Sequence, residues 1–108
     1  MQQYQRALEE DKTNALADFR MGEAFFYQRN YAAAAQSFRD ALDASTDLNT
    51  RWTEVWSHIY IGRIYDIQGD RTRAVNEYSK AKQTGDDTGG AQAEAEKSLR
   101  KAYTETGA

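Results

Sequence analysis

Apolar residues recur along this chain at helical spacing. Between 15 and 28, Ala15, Phe19 and Phe26 are separated by polar and charged residues, as in an amphipathic helix. Asn30 and Asp70 each precede an alanine-rich amphipathic run, which is where a helix N-cap belongs. The pattern predicts helices at 2–11, 15–28, 31–44, 50–68, 71–83 and 89–103.

The last predicted helix follows a glycine-rich break at 85–90. Its apolar residues form one stripe at Ala91, Ala95, Leu99 and Ala102, with charged residues elsewhere on the helix. This pattern is typical of a terminal helix that covers the exposed end of a helical array.

Two short patterns recur. One is an aromatic residue followed by alanine three positions later, and its copies begin at Tyr4, Phe38 and Tyr78. The first two copies lie 34 residues apart (38 − 4), and the next lies 40 further on (78 − 38). The other is a glycine followed three residues later by an aromatic ring, at Gly22 and Gly62. Both patterns therefore point to internal repeats.

The 34-residue spacing and the order of glycine, aromatic, alanine and aromatic residues resemble the tetratricopeptide repeat (TPR) family. The resemblance implies an all-α, antiparallel helix-turn-helix solenoid of about six helices. It divides the chain into the second helix of a truncated repeat (1–14), a repeat unit (15–48), a unit with a lengthened first helix (49–88), and a capping helix with a tail (89–108). The chain departs from the family at the leading tryptophan position, which holds Asp18 and His58, and at the closing proline position.

The resemblance also suggests how the predicted hairpins pack. Gly22 and Gly62 should let the paired helices approach closely, since a Cβ there would push them apart. Because the chain starts within a hairpin, we expect it to belong to a larger TPR-containing protein. The flank around Tyr4 and Leu8 should then be an apolar surface prone to self-association.

Composition narrows the function classes. A net charge of −3, with basic and acidic residues interleaved, argues against nucleic-acid binding. No apolar run approaches the roughly 20 residues of a membrane-spanning helix, so no membrane role is predicted. The cellular compartment stays open.

Candidate catalytic and metal-binding chemistry is weak. The chain has no cysteine, and its one histidine, His58, has only carboxylates such as Glu54 and Asp18 as conceivable co-ligands. The acidic residues Asp86 and Asp87 fit a turn better than a calcium loop. We therefore predict no enzymatic activity, no metal site and no cofactor.

The resemblance implies that the first helices of the repeats line a concave groove that takes peptides. Aromatic and arginine side chains, which are enriched in binding hot spots, fall on this face. The implied partner-binding residues are Phe19, Glu23, Phe26, Tyr27, Trp56, Tyr60, Arg63, Asp66 and Ile67. An alternative is that Phe19, Ile59 and Phe26 simply belong to the core or pack under a preceding helix, and these interpretations remain open at this point.

The predicted function is therefore a protein–protein interaction module that binds a peptide or a partner protein on its concave face. The alternative is a structural or oligomerisation segment that packs against another domain of a larger parent protein, such as an enzyme or a secreted domain. A carboxylate clamp of the kind found in some TPR proteins is not predicted, because Phe19, Glu23 and Tyr60 occupy its positions.

Overall fold

The computed structural model describes residues 14–44 and 49–104. These residues contain five α-helices, one short 3-10 helix and no β-strand. The all-α prediction is confirmed, although five helices are described rather than about six, and the predicted helix at 2–11 lies outside the described residues. The α-helices are α1 Ala15–Tyr27, α2 Tyr31–Asp43, α3 Trp52–Ile67, α4 Arg71–Thr84 and α5 Ala91–Arg100, and the 3-10 helix is Thr88–Gly90.

The chain divides into two compact units, Met1–Thr53 and Glu54–Ala108, called unit 1 and unit 2 below. Helices α1 and α2 form a hairpin in unit 1. Most of α3 packs with α4 and α5 in unit 2.

Polar side chains cap the helices where the sequence indicated. The Ala33 amide donates a hydrogen bond to Asn30 Oδ1 at 3.4 Å, and the Arg73 amide donates to Asp70 Oδ1 at 3.2 Å. Each side chain satisfies one of the amides that a helix N-terminus leaves without an intrahelical partner. The predicted N-caps of α2 and α4 are therefore confirmed.

Glycine and an aromatic ring meet inside each hairpin at the same spacing. A Cβ added to Gly22 would lie 2.6 Å from Phe38 Cε1, and one added to Gly62 would lie 2.5 Å from Tyr78 Cε1. Both rings are fully buried. The expectation that these glycines allow close helix–helix approach is confirmed, because no larger residue fits between the backbone and the ring.

The hairpin turns are also alike, but one lacks the glycine that its geometry favours. The Asn30 amide donates to Phe25 O at 2.9 Å, and the Asp70 amide donates to Tyr65 O at 2.8 Å, closing the same C-terminal motif on α1 and α3. The residue before each of these has a positive φ, 62° at Arg29 and 81° at Gly69. Left-handed backbone is costly for arginine and cheap for glycine.

Arg29→Gly is therefore expected to stabilise the chain by about 0.5–1 kcal/mol, after allowing for the greater freedom of glycine in the unfolded state. Urea unfolding followed by circular dichroism measures the change. Gly69→Ala is the reciprocal control and should destabilise by a similar amount. A lower unfolding midpoint for Arg29→Gly would contradict the strain argument.

Helix α5 ends earlier than the sequence pattern predicts. Lys101 has an extended backbone (φ −141°, ψ 127°), so the helix stops at Arg100 rather than near 103. Ala91, Ala95 and Ser98 form its buried face, whereas Ala102 is exposed in the extended chain that follows. The predicted stripe is therefore correct only for its first part, and residues 101–104 form a tail rather than a last helical turn.

Candidate functional site

The predicted partner-binding residues of unit 1 separate into core and surface. Phe19 and Phe26 are buried, and the Phe19 ring packs edge-on against Phe38, with 5.5 Å between ring centroids. Trp52 lies on the other side, 5.1 Å from Phe19. Of the interpretations left open by the sequence, the core interpretation therefore describes Phe19 and Phe26.

The remaining predicted residues of unit 1, Glu23 and Tyr27, belong to one line along α1 that is largely exposed. Positions 16, 20, 23 and 27 fall on one face of a helix, because three or four residues separate each from the next. Leu16 is 37% exposed and Tyr27 is 68% exposed, and they are the large apolar side chains that stand out from the surface of the described residues. Between them, Arg20 Nη1 donates to Glu23 Oε1 at 2.6 Å. We call Leu16, Arg20, Glu23 and Tyr27 the α1 stripe.

Unit 2 has the same line of positions on α3, forty residues later. These positions hold Trp56, Tyr60, Arg63 and Ile67, which we call the α3 stripe, and all four are predicted partner-binding residues. In contrast to the α1 stripe, the α3 stripe contains no exposed residue, and Tyr60 is only 5% exposed.

Residues 88–104 of the same chain cover the α3 stripe. We call them the C-terminal segment. Trp56 Nε1 donates to Thr88 O at 2.8 Å, and Arg63 Nη2 donates to Glu94 Oε2 at 3.2 Å. The Tyr103 ring lies against the Arg63 guanidinium, 4.9 Å from ring centroid to Cζ. The Trp56 indole and one terminal nitrogen of Arg63 are thus bonded to the chain's own residues.

Asp66, also a predicted site residue, anchors the C-terminal segment. Its carboxylate is 1% exposed and accepts hydrogen bonds from Arg71 Nη1 at 2.9 and 3.1 Å, from the Tyr78 hydroxyl at 2.7 Å and from the Tyr103 amide at 2.9 Å. Burial and this carboxylate raise the pKa of Tyr78 well above its ordinary value. A partner would have to displace residues 101–104 to reach Asp66.

Arg71 completes this anchor by joining α4 to the end of α5. Its Nη2 donates to Ser98 O at 2.7 Å and to Leu99 O at 2.9 Å. The last carbonyls of a helix lack intrahelical partners, and a basic side chain satisfies them and interacts well with the helix dipole. The sequence analysis did not identify Arg71, because a pattern of apolar spacing does not indicate which carbonyls a distant arginine reaches.

His58 pairs with a carboxylate that the sequence analysis did not consider. Its Nδ1 lies 3.0 Å from Glu77 Oε1 on α4, whereas Glu54 is exposed. Burial raises the pKa of Glu77, but hydrogen bonds from His58 and Lys80 outweigh this effect and bring the pKa below its ordinary value. Among the described residues, no three histidine or acidic side chains are grouped so that they could hold a metal ion.

The sequence analysis predicted a covering terminal helix but placed its charged residues only off the apolar stripe, so it did not indicate that Glu94 would bond Arg63. Of the helices described, none has the length and apolar character needed to span a bilayer.

Comparison with family models, curated proteins and solved structures finds no match to this chain.

Proposed function

We propose that the chain is a protein–protein interaction module of the helical-repeat type that the TPR resemblance implies. In this proposal the α1 stripe binds a helical segment of a partner protein. The supporting observation is that Leu16, Arg20 and Tyr27 of the α1 stripe are exposed and Glu23 is half-buried, whereas the α3 stripe, at the equivalent positions, is covered by helix α5 and the tail that follows it.

The repeated geometry supports treating the two stripes as equivalent. Gly22 and Phe38 meet as Gly62 and Tyr78 do, and the turns at Arg29 and Gly69 share their hydrogen bonds. An antiparallel solenoid, which goes beyond the all-α fold, is a part of this proposal. Repeats of this kind bury their apolar faces against neighbouring elements, which makes exposed apolar side chains at the equivalent positions a natural place for a partner.

The chemistry of the α1 stripe suggests the kind of partner. Leu16 and Tyr27 lie about 16 Å apart along the helix, at 1.5 Å per residue, and offer an apolar anchor at each end. Glu23 occupies the position equivalent to Arg63, so the charge there is reversed. Since Arg63 meets the acidic Glu94 in unit 2, we expect the partner helix to place a basic residue opposite Glu23.

A selection from a displayed library of helical peptides tests the proposal. Enriched peptides should share apolar residues at i, i+3, i+4 and i+7 and carry a basic residue on the same face. Tyr27→Ala should weaken their binding about tenfold or more, as truncation of an aromatic anchor does, and Glu23→Lys should shift the selection towards acidic peptides.

Arg39→Ala, an exposed substitution on α2, is the matched control and should leave binding unchanged. Enriched peptides that bind wild type and Tyr27→Ala equally would remove the α1 stripe from the proposal. A library that yields no binder at all would instead favour the alternative, in which this face packs against another domain of a larger protein.

A further inference from the structure

Unit 2 contains a basic pocket that shares no lining residue with the α1 stripe. Its volume is about 480 Å3, which is within the usual range for ligand sites. Three basic side chains and one acidic side chain line it, so the pocket is positive although the whole chain has a net charge of −3. Its lining consists of Arg63, Glu94, Lys97, Ser98, Lys101, Ala102, Tyr103 and Thr104.

The arginine of this pocket has unused donor capacity. The Arg63 side chain is 13% exposed, and its described hydrogen bond is the one to Glu94 at 3.2 Å. Its Nε is buried and has no hydrogen-bond acceptor among the described residues. A guanidinium carries five N–H donors, and leaving them unpaired in a protein interior is unfavourable. The rings of Trp56, Tyr60 and Tyr103 hold the guanidinium in place, but they do not serve as ordinary hydrogen-bond acceptors for its N–H groups.

The two lysines of the pocket also lack carboxylate partners. Within the described ranges, neither Lys97 nor Lys101 makes an ion pair, whereas Lys82 and Arg100 both pair with Glu96, at 3.6 and 3.5 Å. Two of the three basic groups that face the pocket are therefore without an acidic partner among the described residues. Exposed charges of one sign gathered at a concave surface attract ligands of the other sign.

Glu94 shows which chemical group suits the pocket. Its carboxylate already bonds the Arg63 guanidinium, but its side chain is 39% exposed and the contact is long for a charge-assisted bond. A ligand carboxylate that bound the planar fork of the guanidinium through two oxygens would make shorter and stronger bonds. The local excess of two positive charges would be balanced by a ligand with two carboxylates.

We propose that this pocket binds an acidic segment of a partner polypeptide, with one carboxylate on Arg63, in place of Glu94, and a second between Lys97 and Lys101. The inference rests on the proposed function only in taking the ligand to be a polypeptide. Tyr103 and Ala102 supply the apolar contact that a peptide side chain would need beside its carboxylate.

The test is a titration of the 15N-labelled chain with a blocked peptide of alternating glycine and glutamate, followed by NMR. The Nε–Hε signal of Arg63 and the amide signals of residues 94–104 should shift and saturate. The same peptide with glutamine in place of glutamate should leave them unmoved. Raising the salt concentration should weaken binding, since screening acts on exposed charges.

Three variants sharpen the test. The double variant Lys97→Gln/Lys101→Gln, at two exposed positions, should weaken binding about tenfold. Lys80→Gln/Lys82→Gln changes the net charge equally on α4 and should change binding less than about twofold. Glu94→Gln removes the internal competitor and should strengthen binding severalfold.

Equal loss of affinity in the two double variants would overturn the pocket, because it would show general attraction to charge. Weaker binding by Glu94→Gln would overturn the exchange of carboxylates at Arg63. If the acidic peptide causes no shift at residues 94–104 while helical peptides still bind the α1 stripe, the pocket proposal fails and the proposed function stands. If helical peptides do not bind the α1 stripe while the acidic peptide still saturates the signals of residues 94–104, the proposed function fails and the pocket proposal stands.

Discussion

Gly62→Ala is expected to destabilise the protein by about 2 kcal/mol, and Gly62→Leu by more, because the new side chain would overlap the buried Tyr78 ring. The added Cβ would lie 2.5 Å from Tyr78 Cε1, a distance that non-bonded carbon atoms do not tolerate. The ring has no free space to move into, since Tyr78 is fully buried and its hydroxyl is bonded to Asp66 at 2.7 Å. The helix-propensity gain from glycine to alanine, about 0.5–1 kcal/mol, is too small to offset this overlap.

Gly22→Ala offers a graded comparison in unit 1. The Phe38 ring stands as close to Gly22, but it has no hydroxyl that fixes its edge, so we expect a smaller loss of about 1 kcal/mol. Gly85→Ala is the control without overlap, since nothing lies within 4 Å of that position and the cost arises from its positive φ alone.

Urea unfolding of the three alanine variants measures these differences in the free energy of unfolding. Adding Tyr78→Leu to Gly62→Ala should recover part of the loss, because it removes the ring that the Cβ meets. Equal destabilisation by Gly62→Ala and Gly85→Ala, with no rescue by Tyr78→Leu, would contradict this explanation. It would mean that overlap with the Tyr78 ring is not the reason why a side chain at position 62 is unfavourable.

Asp66→Ala is expected to destabilise unit 2 by about 3 kcal/mol, the low end of what removal of one partner from a buried ion pair costs. The substitution leaves the Tyr78 hydroxyl and the Tyr103 amide without their acceptor and leaves Arg71 without its carboxylate. The low end applies because Arg71 is 37% exposed and can be hydrated again by water.

Two further substitutions provide comparisons for Asp66→Ala: one removes a single hydrogen bond of the anchor, and the other removes an exposed carboxylate outside it. Tyr78→Phe removes one hydrogen bond and keeps the ring, so it should cost about 1 kcal/mol. Glu96→Ala removes a carboxylate that is 53% exposed and should cost less than about 1 kcal/mol, although it also bridges two basic residues.

Amide hydrogen exchange shows where the loss occurs. In Asp66→Ala the amides of α5 should lose protection more than those of α2, because the carboxylate holds residues 101–104 and, through Arg71, the end of α5. Unchanged protection of α5 would contradict its role as the anchor of the C-terminal segment.

The features that could be predicted from sequence are those that depend on local chemistry. Asn30 and Asp70 were identifiable as caps because a short polar side chain before an amphipathic run has one favoured use. Gly22 and Gly62 were identifiable because they recur with an aromatic residue at a fixed distance. Each of these assignments needs only the residue and its near neighbours along the chain.

The features that were missed depend on contacts between distant residues. Nothing near Lys101 breaks a helix, so the pattern extended α5 to 103, whereas in the structure the bonds of Asp66 to Tyr103 and of Arg71 to Leu99 accompany its early end. For the same reason, Phe19 and Phe26 could be assigned from the sequence either to a binding groove or to the core. Apolar spacing identifies a face of a helix but not what covers that face.

The two tryptophans are placed so that each reports on a different part of the chain. Trp52 packs edge-on against Phe19 and lies 5.3 Å from the Arg20 guanidinium in unit 1, whereas Trp56 donates its indole hydrogen to Thr88 O in unit 2. A Trp52→Phe protein would therefore carry a single tryptophan, which can be excited selectively over the seven tyrosines and whose emission colour depends on whether the chain after residue 88 lies against it. Release of that chain would expose the indole to water and shift its emission to the red, so that undocking of α5 becomes visible at micromolar concentration without any attached dye.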